Sequence, residues 1–439
     1  MNFFIHRIFH ASFAILAVSS ITEYTFADKS DTDSPKSIPI ELSSKNIVGP
    51  LISEALENNP GLRAFDLRYQ AARESITSAR ALPNPKVQLT HFVESIQTRT
   101  GPQRQAIQLQ QPLPWHGSRA RRQEAAQAQA ESLWHAYASQ QFILLDSIAE
   151  KTLEVAYLDK SINQLESNTQ LLAQLETIAE ERIRSGGNLN DHLRLQIETQ
   201  RFADQIERLK TRRKTISAEL DALLGRKSIS QIPEIEWAAP AKVSADLNQL
   251  YASSTERNPQ IAILRSLLSN QEARERLAEF DSKPEVTLGL NYMRTGDAIN
   301  RALEGSGKDP WALMVGISLP VWGKANRSIQ LAASLQSDAL FAQIEDKELH
   351  LRADVHRWIA KLEDSQSRIE RYENKLIPLA RQSREITKSN YRTNRTSISD
   401  VIDSERIVIE LETQYWRAAA DAWIARWKLA TLSGGLWLN

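Results

Sequence analysis

The chain has 439 residues, with 54 Lys+Arg against 54 Asp+Glu, 15 Gly, 16 Pro and no Cys. The even charge gives no reason to expect nucleic acid or an anionic surface as partner, and the missing thiol excludes disulfides, thiolate catalysis and Cys-bound metal. So few Gly and Pro imply long uninterrupted elements, and between Pro114 and Pro233 there is no proline at all.

In chain order, the first segment carries Arg7, an apolar run from about Ile8 to Ile21 and a small-residue exit at Thr25-Phe26-Ala27. It reads as a secretory signal peptide over 1–27. A membrane anchor is the weaker reading, because the run is shorter than the roughly 20 apolar residues a spanning helix needs. Residues 28–46, rich in Ser, Asp, Lys and Pro, read as a flexible tail, and without Cys no lipid can be attached through an N-terminal thiol. No later segment has the apolar length of a transmembrane helix, so a secreted chain of this kind is either soluble or a β-barrel.

From residue 47 the sequence is written twice. Asn59-Pro60, Pro85-Lys86-Val87-Gln88-Leu89 and Leu223-Leu224-Gly225 recur as Asn258-Pro259, Pro284-Glu285-Val286-Thr287-Leu288 and Leu432-Ser433-Gly434, and Asp191 recurs as Asp400. Two repeats, 47–244 and 245–439, therefore cover the chain. The spacer from Pro284 to Pro320 is longer than that from Pro85 to Pro112, which predicts a loop extension in the second copy.

Each repeat opens with a helix broken early by Asn-Pro, about Ile47 to Ala81 and Ala245 to Phe280. The period then changes to two, over about 85–113 and 284–320. Val87, Leu89 and Val93 alternate with Gln88 and Thr90, and Ile107 and Leu109 with Gln108 and Gln110. In the second copy Val286, Leu288, Leu290 and Tyr292 share a face, as do Trp311, Leu313, Val315, Ile317 and Leu319, with Thr287, Gly289, Asn291, Gly316 and Ser318 opposite. Alternation of this kind marks strands with one apolar face. About ten residues is also the length of a tilted membrane-spanning strand, so these apolar residues are expected to face lipid.

Both strand pairs close on an aromatic-glycine corner, Pro112 to Gly117 and Leu319 to Gly323. Trp115 and Trp322 there, and Trp311 at the other end, suit a membrane interface; a core tryptophan at a strand-to-helix corner is the alternative. Helical patterns follow from Ser118 to Arg182 and from Lys324 to Tyr391, each about 100 Å long at 1.5 Å per residue. They break at Ser185-Gly186-Gly187-Asn188 and Asn394-Arg395-Thr396-Ser397 and return over residues up to about 224 and 432. On the second return helix Val401, Ser404, Val408, Leu411, Tyr415, Ala418, Ala422, Ala425, Leu429 and Leu432 keep a three-four spacing, the signature of an antiparallel coiled-coil hairpin. Four strands cannot close a barrel, since about eight is the smallest useful number; three chains would supply twelve.

The duplicated Asn-Pro helix start resembles the TolC family of outer-membrane efflux proteins. So do Ala79-Arg80-Ala81-Leu82-Pro83-Asn84-Pro85, the corner at 112 to 119, Leu376-Ile377-Pro378-Leu379-Ala380 and the stretch from Tyr391 to Asp403. The resemblance implies a mainly α fold with a transmembrane β-barrel: a homotrimer with a twelve-stranded barrel, a helical periplasmic tunnel and an equatorial collar formed by the linker from Gly225 to Ala245. It also implies a passive exit duct in the outer-membrane lipid of a Gram-negative cell, docked to a periplasmic adaptor (membrane fusion protein) and an inner-membrane pump. The segments at 82–85 and 114–117 resemble members paired with heavy-metal-exporting pumps of the resistance-nodulation-division (RND) type.

The same resemblance places a pore gate at Asp400 and Asp403, whose spacing of one helical turn puts both on one face. An acid at a helix start that favours the macrodipole is the local alternative. A latch at Asp191, Tyr391 and Arg395 is implied as well, although Arg395 stands one position earlier than the family's arginine and Asn394 replaces its usual glycine. Adaptor docking would fall on Ser185, Gly186, Gly187, Asn188, Asn394, Thr396 and Ser397.

No nucleotide-binding glycine loop, GxSxG or HExxH occurs, and no cofactor is called for. His350, Asp354 and His356 lie on one helix, but the two histidines point to different faces, so no metal site is assigned. His91 and His116 read as pore or interface groups. A periplasmic adaptor or scaffold would explain the hairpins but not the strands, an enzyme would need a catalytic constellation that is absent, and within the duct class multidrug export and a type I protein-secretion duct stay open.

Overall fold

The computed structural model describes residues 48–184, 189–228, 232, 235, 237–242, 246–393 and 395–434. The expected signal peptide and tail lie outside the described residues, as do the tip residues Ser185, Gly186, Gly187, Asn188 and Asn394.

Each repeat has the same order: two short helices, two strands, a long helix and a return helix. The first comprises α1 (Val48–Asn58), α2 (Pro60–Arg80), β1 (Lys86–Thr98), β2 (Gly101–Leu113), α3 (Ser118–Arg184) and α4 (Leu189–Leu224). The second comprises α5 (Leu247–Arg257), α6 (Pro259–Asp281), β3 (Glu285–Thr295), β4 (Trp311–Ser318), α7 (Gly323–Arg371), a π-helical turn (Tyr372–Leu376), α8 (Ile377–Arg392) and α9 (Ile398–Leu432). β1 and β2 turn within two residues, whereas residues 296–310 connect β3 to β4, which is where the second copy gains its length.

The duplicated motifs are duplicated because they touch. Asn59 sits between α1 and α2; its Oδ1 accepts from the Leu62 amide at 2.9 Å and caps α2, while its Nδ2 donates to the Leu223 carbonyl at 2.8 Å. Asn258 does the same in the second copy, accepting from the Gln260 amide and donating to the Leu432 carbonyl at 3.2 Å. One amide thus satisfies orphan groups at a helix start and at a helix end far away in sequence. The glycine that follows each return helix completes the joint. Gly225 has φ 76°, and a Cβ there would lie 2.4 Å from the Asn58 carbonyl oxygen; Gly434 has φ 73° against Arg257. Beyond Gly225, the Arg226 guanidinium pairs with both Glu54 oxygens (2.6 and 2.7 Å) and with Asp221 (3.0 Å), anchoring α1 to the end of α4.

The heptad stripe of α9 is buried as its spacing requires. Val401, Val408, Ala418, Ala422, Ala425 and Leu429 are fully inaccessible, and in the first copy so are Leu195 and Leu220. Alanine at consecutive contact positions lets α9 lie close against α7, and Trp237, Trp358 and α9's own Tyr415 and Trp416 pack against the cluster. The two arms of the second hairpin are also stitched by ions, and Gln164 of the first hairpin joins them. Glu412 is nearly buried and receives Arg381 (2.9 Å from Nε) and Gln164, while Glu405, one heptad earlier, lies 2.7 Å from Lys388.

The π turn has a covalent cause. Pro378 has no N–H for the Asn374 carbonyl, so the helix widens by one residue and the Ile377 amide reaches back to the Tyr372 carbonyl. The described parts of the 225–245 linker lie across the hairpins. Trp237 donates to the Ala156 carbonyl (3.1 Å), the Ala238 carbonyl accepts from Trp423 (2.9 Å), and Lys242 pairs with Glu370 (3.1 Å).

Candidate functional site

The four strands form one antiparallel sheet in the order β1-β2-β3-β4. Its register aligns the apolar residues of every strand. Val87 faces Leu109, Leu109 faces Leu290, and Leu290 faces Leu313; one rung on, Leu89, Ile107, Tyr292 and Trp311 lie abreast. Toward the helices Gln111, Leu288 and Val315 follow, then Leu113, Val286 and Ile317. Because opposite residues in a ladder share a face, one apolar surface runs across all four strands. Leu313 is 87% and Val315 70% exposed on it.

The reverse face carries Gln88, Thr90, Gln108, Gln110, Thr287, Asn291, Met293 and Met314, with glycines at 289 and 316. Its middle holds no charge, and Gln108 Nε2 lies 3.6 Å from the Met314 sulfur. Val93, expected on the apolar face, falls within a register shift between His91 and Ile96 that removes it from the regular ladder. The eight residues of β4 extend about 26 Å at ~3.3 Å each, or roughly 20 Å of depth at a tilt near 40°, most of the roughly 25 Å apolar band of an outer-membrane barrel.

Aromatic residues bound this face at both ends. At the loop end Trp311 stacks on Tyr292 (4.8 Å between centroids), and the Asp309 carboxylate accepts from the Tyr292 hydroxyl and from the Thr295 amide (2.6 Å), closing the long connection. At the helix end Trp115 and Trp322 stand exposed, Trp322 at 78%. No helix among the described residues is long and apolar enough to cross a membrane.

The hairpin tip presents a different chemistry. Ser397 caps α9, and Asp400 completes a capping box, its carboxylate accepting from the Ser397 amide (3.0 Å), the Ser397 hydroxyl (2.7 Å) and the Thr396 hydroxyl (2.7 Å). These hydrogen bonds, led by that from Thr396, hold its carboxyl below the usual range. The helix-start role weighed against the gate is therefore physically present at Asp400. Asp403, one turn on, is exposed and lies 3.5 Å from Arg406.

Tyr391 is buried in the cluster formed by Leu195, Phe202, Ile398 and Val401. Asp191 lies in the first turn of α4, and Arg395 is exposed; among the described residues they form no ion pair with each other inside one chain. What joins α4 to α9 was not anticipated. Arg406 reaches across to buried Glu198 (2.8 Å from Nε), and Arg194 donates to Ser399. The available signal was Glu198 itself, a charge beside the apolar stripe of Leu195, Thr199 and Phe202. His350 lies beside Asp346 (3.6 Å) rather than with His356.

A sheet with one apolar face bounded by aromatic residues, continued by long coiled-coil hairpins, fits a chain whose sheet has one side in lipid. Residues 51–226, the first repeat, match the family described as Outer membrane efflux protein. No curated protein matches the sequence. Among solved structures, the chain is similar to CusC (TM-score 0.74, 17% identity, 88% of this chain and 92% of that chain), whose crystal structures concern folding and transmembrane channel formation. It is similar to the outer-membrane protein VceC of Vibrio cholerae (0.73, 18%, 88% and 96%) and to the Neisseria gonorrhoeae outer-membrane channel MtrE in its open state (0.70, 18%, 88% and 89%). The first repeat thus matches the outer membrane efflux protein family, and the chain as a whole shares the fold of these outer-membrane channels.

Proposed function

We propose that three copies of this chain close a twelve-stranded barrel in the outer membrane, continued in the periplasm by a helical tunnel, as the passive exit duct of an export system. A periplasmic adaptor and an inner-membrane pump of the RND type complete the machine. The observation that carries the reading is the apolar face continuous over β1 to β4, whose outer strands leave their far edges unpaired within the chain. In lipid each such backbone group costs several kcal/mol, and only closure against further copies satisfies them.

In this reading Asp400 and Asp403 of three chains gather at the narrow end of the tunnel, where like charges favour cations. The latch at Asp191, Tyr391 and Arg395 acts between chains, and the hairpin tips at 185–188 and 394–397 meet the adaptor. The Leu82-Pro83-Asn84-Pro85 and Pro114-Trp115-His116-Gly117 segments favour a heavy-metal pump as partner over a protein-secretion system.

The absence of native Cys makes the test direct. Cysteines placed along the edge strands, at Leu89 on β1 and Leu313 on β4 with their neighbours scanned, should oxidise between chains and give a covalent ladder ending at three. A ladder ending at two, or none from correctly inserted protein, would refute the trimer.

A further inference from the structure

Neutral net charge conceals a local excess of cations where helices meet strands. α2 ends at Arg80, α3 begins with Arg119 and Arg121, α6 carries Arg276 near its end, and α7 begins with Lys324 and Arg327. All four helix ends abut strand ends at the Trp115 and Trp322 rim, so these side chains share one level. Contacts tie them together: Arg119 donates to the Arg80 carbonyl (2.7 Å), and the Arg121 guanidinium lies over Phe280 (5.7 Å), against which Gly117 packs.

Carboxylates offset part of this charge, with Glu279 near the end of α6 and Glu285 at the start of β3. Glu124 pairs with both Arg121 (2.7 Å) and Arg276. Arg80, Lys324 and Arg327 are exposed, and none is ion-paired among the described residues. Beside them Leu319, Val321 and Trp322 stand open, at 65%, 70% and 78% exposure. The rim at the loop end also carries cations, Arg99 and Lys308 among them, but its carboxylates are interleaved with them: Asp297 lies 3.6 Å from Arg301, and Asp309 follows Lys308 directly.

Resting on the membrane reading above, we infer that the helix-end rim binds anionic phospholipid headgroups of the periplasm-facing leaflet. Arg80, Lys324 and Arg327 take the phosphates, and Trp115 and Trp322 lie at the headgroup boundary. The apolar run from Leu319 to Trp322 continues the lipid-facing surface of β4 and leads directly into Lys324. This is the sequence of environments met on passing from acyl chain to phosphate. Each basic residue near an anionic surface favours it by roughly fivefold in partitioning, an effect screened within a Debye length.

The test is lipid retention by the full chain. The protein is reconstituted into nanodiscs of mixed phosphatidylglycerol and phosphatidylcholine, gently extracted, and its bound lipid identified by native mass spectrometry. Phosphatidylglycerol should be enriched several-fold over its bulk fraction. The enrichment should collapse in Arg80→Gln/Lys324→Gln/Arg327→Gln and in about 1 M salt, where the Debye length is near 3 Å. It should persist in Arg99→Gln/Lys308→Gln at the opposite rim. Bulk-ratio retention by the wild type, or equal retention by the triple variant, overturns the inference while leaving the channel reading intact. If the triple variant does not insert, the salt series on wild type and the three single variants decide. Failure of the wild type to enter any nanodisc overturns both.

Discussion

Val315 and Met314 are adjacent in sequence and lie on opposite faces of β4, so one substitution made at each tests the orientation of the whole sheet. Val315 is 70% exposed in the single chain and pairs with Leu288; Met314 pairs with Gly289 and touches Gln108. Val315 lies four residues from Trp311. That is about 13 Å along the strand, or roughly 10 Å of depth at a tilt near 40°, which puts it close to the middle of a 25 Å apolar band. Val315→Arg should therefore cost about 2–4 kcal/mol per chain. At 1.4 kcal/mol per tenfold, this lowers assembled protein by a factor of roughly 30 to 700. Met314→Arg keeps its charge in the aqueous lumen, so assembly should be nearly unchanged while conductance falls and anion preference rises. Heat-resistant oligomer in outer-membrane fractions measures the first effect, and planar-bilayer recording the second. Equal assembly of the two variants, or loss confined to Met314→Arg, would refute the assigned faces.

Further outcomes are expected at the helix joints and at the tip. Asn59→Ala removes a helix cap and a bond to the Leu223 carbonyl together, about 1 kcal/mol each, and Asn258→Ala should lower the denaturation midpoint comparably. Gly225→Ala should be worse than either, from a positive φ costing ~1–2 kcal/mol plus the approach to the Asn58 carbonyl; a harmless Gly225→Ala would contradict the joint. At the tip, Asp403→Ala should weaken block of single-channel current by multivalent cations without altering the hairpin. Asp400 has a second, pH-dependent role: its depressed pKa means its capping contribution is present above the ordinary carboxylate value and is lost as pH falls through the lowered one. Unchanged block in Asp403→Ala would remove that residue from the constriction.

Much of this was legible because the sequence repeats physical problems as well as words. Alternation on the strands is visible because the two faces of the sheet meet different solvents, and the α9 stripe because its alanines and valines keep one heptad phase over the whole helix. The register shift after His91 was not legible, since Val93 continues the alternating pattern into the residues that break it. The duplicated Asn-Pro and Leu-x-Gly motifs could be seen as a repeat, but their meeting could not, because the Asn59 amide joins groups separated by most of a repeat. Pro378 announced an interruption without saying that it would be a π turn. The ion ladder of Glu405 and Glu412 was hidden for another reason: charge on a helix is normally solvated, and only the packing of α8 on α9 selects which acids are enclosed.

The tip divides along the same line. Within one chain the two hairpins are joined by Arg406 to Glu198 and by Arg194 to Ser399, and the Glu198 side chain is only 5% exposed. Separating that pair would strand a buried carboxylate, at a cost of about 3 kcal/mol or more. The α4 and α9 ends of a chain are therefore expected to travel together, with the boundary between copies as the place that yields. Asp191 and Arg395 form no ion pair with each other among the described residues, which is consistent with the proposed latch between copies. In the proposed latch Asp191 and Arg395 are thus distinct from the pairs that hold the chain's own tip together, while Tyr391 belongs to the tip's own core.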